Sequence, residues 1–98
     1  MELLISQSVR IKLANKQPPV SEEDIRQCFA NKNGKTLLDT REKNVSTPPT
    51  RWFIAETDLG LRLKVCYIPN APDGVIIRSA YAPNADESRI YTKYGEFK

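Results

Sequence analysis

Three cations lie on two neighbouring strands that the sequence predicts in the second half of the chain. Arg62 and Lys64 fall two residues apart in the run 61–68, and Arg78 is the single charge in the apolar run 75–82. Because strand side chains alternate between faces, we expect all three to share the uncovered face of an antiparallel sheet. Such a group suits a phosphodiester, whose oxygens accept bidentate hydrogen bonds from arginine.

The same pattern has a second interpretation, in which the three cations are solvated side chains on the water-facing side of the sheet. Composition by itself favours this second interpretation. The chain contains no histidine, so any acid–base chemistry must use Arg, Lys, Tyr or a carboxylate. Strand alternation places Tyr81 on the opposite face from the cations. Tyr91 and Tyr94 follow near the chain's end, where they could stack bases or pack at the edge of the core.

The composition is that of one small globular domain spanning residues 1–98. Of these residues 40% are hydrophobic and 28% charged, which excludes a disordered chain, and the net charge of +3 permits but does not require a nucleic-acid partner. Two isolated cysteines predict buried thiols rather than a disulfide framework or a zinc site. We expect no cofactor and no metal. The absence of a signal peptide or a membrane-length apolar run predicts a cytoplasmic protein without a membrane partner.

Two helices are predicted before the strands. The first falls within residues 3–16 and is stopped by the prolines at 18 and 19. The second opens on Ser21, with Asp24 as the acid of a capping box, and ends near Gly34.

The strand region starts with a short candidate at 36–39, followed by a polar surface loop at 41–50. Runs at 52–57, 61–68 and 75–82 are separated by short turns and predict an antiparallel meander. Asn84 and Glu87 then cap a short C-terminal helix, and the tail 95–98 is expected to fray. The predicted fold class is α+β, with helices on one face of a three- to four-stranded antiparallel sheet.

Several of these patterns together resemble the BrnT-like branch of the RelE/ParE superfamily, the small bacterial toxins of type II toxin–antitoxin modules. The resemblance covers most of the chain and rests on element order and short motifs: 20–25 (VSEEDI), 29–31 (FAN), 39–42 (DTRE), 48–54 (PPTRWFI), 60–65 (GLRLKV), 77–81 (IRSAY) and the pair Glu87 and Tyr91. It implies a compact ribonuclease-like fold and a metal-independent endoribonuclease that cleaves mRNA, including mRNA on the ribosome.

The resemblance also implies roles for individual residues. Arg78 matches the strand arginine and would clamp the scissile phosphate, while Lys64 and Arg62 would neutralise developing charge. Tyr81 and Tyr91 are candidates for a proton carrier or a base-stacking platform. Glu87 matches an acidic residue that opens the last helix, and it could serve only as a cap.

Partners follow from the same resemblance. The toxin would bind RNA, would be neutralised by a cognate antitoxin protein, and would reach operator DNA only through the antitoxin complex. Two alternatives stay open: a non-catalytic protein- or DNA-binding module of this fold, and an inhibitor of another target such as DNA gyrase.

Overall fold

The computed structural model describes residues 1–40 and 48–95. These residues form three helices and five strands in one compact α+β unit. In chain order the elements are β1 (Glu2–Leu4), α1 (Gln7–Ala14), α2 (Glu22–Asn31), β2 (Leu37–Leu38), β3 (Arg51–Glu56), β4 (Arg62–Asn70), β5 (Gly74–Tyr81) and α3 (Ala85–Tyr94). The α+β class is therefore confirmed. Most of the predicted loop at 41–50 and most of the tail lie outside the described residues.

The sheet order is β1-β5-β4-β3-β2, and β1 runs parallel to β5 while the other pairs are antiparallel. The prediction of a purely antiparallel sheet of three to four strands that follows the helices is wrong. A three-residue strand is too short to show alternation, so β1 leaves no periodic signal. Its pairing is visible only in space, where Leu3 lies opposite Val75 and is buried.

The helix boundaries follow local capping, as the sequence predicts. The Ser21 hydroxyl accepts a hydrogen bond from the Asp24 amide at 3.0 Å, and the Asp24 carboxylate accepts one from the Ser21 amide at 2.9 Å. Asn84 and Glu87 form the same reciprocal pair at the start of α3. Both capping boxes satisfy amides that have no partner within the helix.

Helices cover both faces of the sheet. The Phe29 ring on α2 lies 4.9 Å from the ring of Phe53, and the Tyr91 ring on α3 lies 5.8 Å from that of Trp52. Because Trp52 and Phe53 are consecutive on β3, they point to opposite faces, and so α2 and α3 lie on opposite sides. The prediction that one face stays uncovered is wrong. Lys64 lies under α3 and is only 4% exposed.

A register shift between β4 and β5 changes which side chains share a face. Cys66 pairs with Ser79 and Tyr67 pairs with Ile77, so Arg78 has no residue opposite it. This extra residue is a β-bulge, and it reverses the alternation along the rest of β5. Lys64 therefore lies directly opposite Tyr81 on one face. The prediction that Tyr81 faces away from Lys64 is wrong, since simple alternation assumes an unbroken register.

Within the described residues, no helix has the length and apolar character needed to cross a membrane.

Candidate active site

Three of the predicted site residues meet at one carboxylate oxygen. Oε2 of Glu87 accepts a hydrogen bond from Nζ of Lys64 at 2.7 Å and another from the hydroxyl of Tyr81, also at 2.7 Å. Lys64 and Tyr81 are neighbours across β4 and β5, while Glu87 comes from the first turn of α3. We refer to Lys64, Tyr81 and Glu87 as the carboxylate cluster.

The second oxygen of Glu87 is held by the capping box of α3. Oε1 accepts a hydrogen bond from the backbone amide of Asn84 at 3.0 Å, while the Asn84 side chain accepts one from the Glu87 amide at 2.7 Å. The carboxylate also lies at the positive end of the α3 dipole, which favours its ionised form. Glu87 therefore serves both in the capping box of α3 and as the centre of the carboxylate cluster.

Two aromatic rings lie beside the Lys64 ammonium. Nζ lies 4.6 Å from the centroid of the Trp52 ring and 5.6 Å from that of Tyr81. The Lys64 side chain is 5% exposed and that of Glu87 is 15% exposed. Cation–π attraction is strongest where water is excluded, so the rings help to hold a charged ammonium in a buried position.

At neutral pH we expect Lys64 and Glu87 to be charged and Tyr81 to be neutral. Burial alone would lower the pKa of Lys64, but its hydrogen bond to Glu87 and the neighbouring Cys66 and Tyr81 outweigh burial and raise the pKa above its ordinary 10.5. Burial likewise acts to raise the pKa of Glu87, but hydrogen bonds from Lys64, Asn84 and Tyr81 hold it below its ordinary 4.5. Burial and the ionised Glu87 raise the pKa of Tyr81. The arrangement combines an ammonium, a carboxylate and a neutral phenol.

These shifts predict how the cluster contributes to stability as pH changes. Because the pKa of Glu87 is lower in the folded protein than in the unfolded chain, its ionised form stabilises the fold above about pH 4.5. That contribution is lost as pH falls through the lowered pKa. We therefore expect the difference in unfolding free energy between the wild type and Glu87→Gln to be largest near neutral pH and to shrink below pH 4.5. Urea unfolding of both proteins at a series of pH values measures this difference, and a constant difference would contradict the assignment.

Arg78 lies apart from the carboxylate cluster, on the exposed bulge of β5. It is three residues from Tyr81, which corresponds to roughly 10 Å along a strand. In the part of the chain that the structure describes, the side chain of Arg78 makes no hydrogen bond or ion pair. Bulges often re-aim a side chain next to a functional site, and this one leaves the guanidinium exposed to solvent.

The two remaining predicted residues have other surroundings. Arg62 lies at the start of β4, opposite Glu56, and lines a separate polar pocket of ≈ 540 Å³ at the C-terminal end of α2. Tyr91 is 2% exposed, and its hydroxyl donates a hydrogen bond to the backbone carbonyl of Lys35 at 2.7 Å. The structure thus brings Lys64, Tyr81 and Glu87 together, whereas Arg78 lies on the bulge, Arg62 lines another pocket and the Tyr91 hydroxyl is bonded to a backbone carbonyl.

Trp52 is the residue that sequence reasoning missed, since its aromatic character indicates only a core anchor. In the structure its ring borders both Lys64 and a groove of ≈ 560 Å³ between β2 and α3. Trp52 is paired with Cys66 and Lys64 with Ile54, a register that no local sequence signal reveals.

A cysteine-based site and a metal site receive no support from the described residues. Cys28 and Cys66 are free thiols buried in the core, as predicted, and burial raises the pKa of Cys28 to about 11. Within residues 1–40 and 48–95, no group of three or more Cys, Asp or Glu side chains is placed to hold a metal ion.

Comparisons with models of protein families, with curated proteins and with solved structures found no match for this chain.

Proposed function

We propose that this protein is a metal-independent endoribonuclease that acts as the toxin of a type II toxin–antitoxin pair. The observation that supports the proposal is the carboxylate cluster. In it the Lys64 ammonium and the Tyr81 hydroxyl each donate a hydrogen bond of 2.7 Å to Oε2 of Glu87. A proton acceptor, a proton donor and a fixed positive charge each promote cleavage of RNA without a metal.

In this proposal the ionised Glu87 accepts the proton of a ribose 2′-hydroxyl. The 2′-oxygen then attacks the adjacent phosphorus, and the bond from phosphorus to the 5′-oxygen breaks. Tyr81 donates its proton to that leaving oxygen, so the products are a 2′,3′-cyclic phosphate and a 5′-hydroxyl. The hydrogen bond between Tyr81 and Glu87 returns the abstracted proton to the phenol and restores the starting state.

Lys64 and Arg78 would supply positive charge in two different ways. The Lys64 ammonium is buried, where electrostatic stabilisation of a developing negative charge is stronger than in water. The Arg78 guanidinium is exposed and can bind a phosphate of the same strand in a bidentate manner. Arg62 and Tyr91 have no direct part in this mechanism, because Arg62 lines a separate pocket and the Tyr91 hydroxyl is bonded to a backbone carbonyl.

The pH dependence of cleavage is the distinguishing result for this mechanism. Glu87 is ionised above about pH 4.5, and Tyr81 keeps its proton to above about pH 10. We therefore expect the cleavage rate to be flat from about pH 5 to about pH 9.5. Initial rates on a fluorescent RNA in buffers of constant ionic strength measure the profile. A bell-shaped profile centred near pH 6–7 would contradict it, because the chain has no histidine to produce one.

A second candidate function is a binding module that does not cut RNA. It is favoured by the completeness of the cluster, since no buried side-chain nitrogen or oxygen in the described residues lacks a hydrogen-bond partner. The pair Lys64 and Glu87 would then hold α3 on the sheet, and the surface around Arg78 would contact a protein or DNA. Salt-dependent binding of nucleic acid, together with intact RNA after long incubation, would favour this module over the enzyme.

Expression of the chain alone in bacteria tests the proposed function in cells. We expect growth arrest with loss of intact mRNA, and recovery when the antitoxin encoded beside it is co-expressed. Normal growth in a host that lacks any antitoxin, at verified levels of folded protein, would overturn the toxin assignment. Arrest accompanied by DNA damage and intact RNA would instead indicate an inhibitor of a target such as gyrase.

A further inference from the structure

The groove between β2 and α3 lies directly beside the carboxylate cluster. Its floor includes Trp52 and the ion pair of Lys64 with Glu87, and its walls include apolar side chains from β2 and α3. The volume of ≈ 560 Å³ falls within the range of sites that bind small molecules.

Three large hydrophobic side chains are exposed at this groove. Leu38 is 49% exposed, Ile90 is 43% exposed and Tyr94 is 59% exposed. Single exposed hydrophobic residues are ordinary on protein surfaces, but a group that meets at one concave site indicates a binding surface. The group comes from both walls, because Leu38 lies on β2 whereas Ile90 and Tyr94 lie on α3.

We propose that this groove binds a nucleobase of the RNA, a proposal that rests on the proposed function and adds a subsite to it. A base is flat, apolar on its faces and polar along its edge. The Tyr94 ring and the aliphatic walls suit its faces, and aromatic side chains are the usual stacking partners of unpaired bases.

The position of the groove relative to the cluster supports this ligand over an apolar peptide. The floor contains the charged pair of Lys64 and Glu87, and an aliphatic side chain placed there would exclude water from both charges without offering a polar contact. A nucleotide can instead place its base against the walls and its sugar and phosphate near the ammonium of Lys64. The base in the groove would then belong to a nucleotide at the scissile bond.

Trp52 provides a direct optical test, because it is the single tryptophan of the chain and lines the groove. The probes are GMP, AMP and UMP, with ribose 5-phosphate as the probe that lacks a base. We expect saturable quenching of Trp52 fluorescence by the three nucleotides and no saturable change with ribose 5-phosphate. Equal responses to GMP and ribose 5-phosphate would overturn the subsite.

A pair of variants locates the binding. Tyr94→Ala removes an exposed ring from the groove and is expected to weaken GMP binding by roughly 5- to 150-fold, which corresponds to about 1–3 kcal/mol of base stacking. The control is Ile11→Ala, which removes an exposed hydrophobic side chain from α1, outside the groove, and should leave GMP binding unchanged. Equal affinities in Tyr94→Ala and Ile11→Ala would overturn the assignment to this groove.

The outcomes also separate the subsite from the proposed function. If the protein cleaves RNA but GMP causes no quenching specific to the base, the subsite is wrong and the nuclease stands. If GMP binds as expected and RNA stays intact, the groove is a nucleotide site and the nuclease is wrong. Quenching by an apolar peptide, without quenching by any nucleotide, would overturn the base assignment in favour of a protein partner.

Discussion

Replacing Glu87 with alanine is expected to lower the free energy of unfolding by about 3–5 kcal/mol, because the substitution leaves the buried Lys64 ammonium without its partner. Tyr81 loses its hydrogen-bond acceptor in the same variant, and α3 loses one half of its capping box. Urea unfolding followed by circular dichroism measures the effect. The matched control is Asp86→Ala, in the same helical turn, where an exposed ion pair with Arg89 is lost at a cost of about 1 kcal/mol or less.

A double variant shows whether the buried pair acts in catalysis or only in stability. Lys64→Met combined with Glu87→Leu replaces both charges by apolar side chains of similar size, and such replacements are often neutral or stabilising. We expect this variant to be folded, more stable than Glu87→Ala and inactive on RNA. A stable double variant that still cleaves RNA would show that the pair only holds α3 on the sheet. A Glu87→Ala variant no less stable than Asp86→Ala would contradict the energetic assignment of the pair.

Arg78→Ala is expected to relieve growth arrest without loss of stability. The side chain is exposed and has no hydrogen-bond or ion-pair partner in the described part of the chain, so the free energy of unfolding should change by no more than about 0.5 kcal/mol. Loss of a charge-assisted bond to a phosphate costs about 1.5–3 kcal/mol, which slows cleavage by roughly 10- to 150-fold. Colony counts on inducing medium and cleavage rates in vitro measure the two effects.

Two further variants control this experiment. Arg89→Ala removes another exposed arginine, on α3, and is expected to leave growth arrest intact. Arg78→Lys keeps the charge but not the bidentate geometry, so it should retain an intermediate activity. Arrest that persists in Arg78→Ala at the wild-type level of protein would remove Arg78 from the proposed site.

The sequence predicts those parts of the structure that depend on local interactions. Both capping boxes are visible as residues three apart, and the structure confirms Ser21 with Asp24 and Asn84 with Glu87. The three main strands are also predicted, because each carries enough β-branched and aromatic residues to show a pattern.

The parts that depend on contacts between distant residues could not be predicted. The parallel pairing of β1 with β5 joins residues about 70 positions apart, and β1 itself is too short to show a period. The bulge at Arg78 is a property of the register between two strands, and it alone places Tyr81 beside Lys64. For the same reason, alternation identified Lys64 as a candidate but placed it on an open surface, whereas α3 buries it against Glu87.

The most direct test of the proposed activity is the identity of the RNA ends that the purified protein leaves. We expect the wild type to cut a short single-stranded RNA to a 2′,3′-cyclic phosphate and a 5′-hydroxyl, and to leave the same oligonucleotide intact when a 2′-deoxyribose replaces the attacking sugar. Tyr81→Phe keeps the packing of the ring but removes the proton donor, and it should slow cleavage by about 10²–10⁴-fold. Intact RNA with folded wild-type protein, or equal rates for the wild type and Tyr81→Phe, would contradict the account.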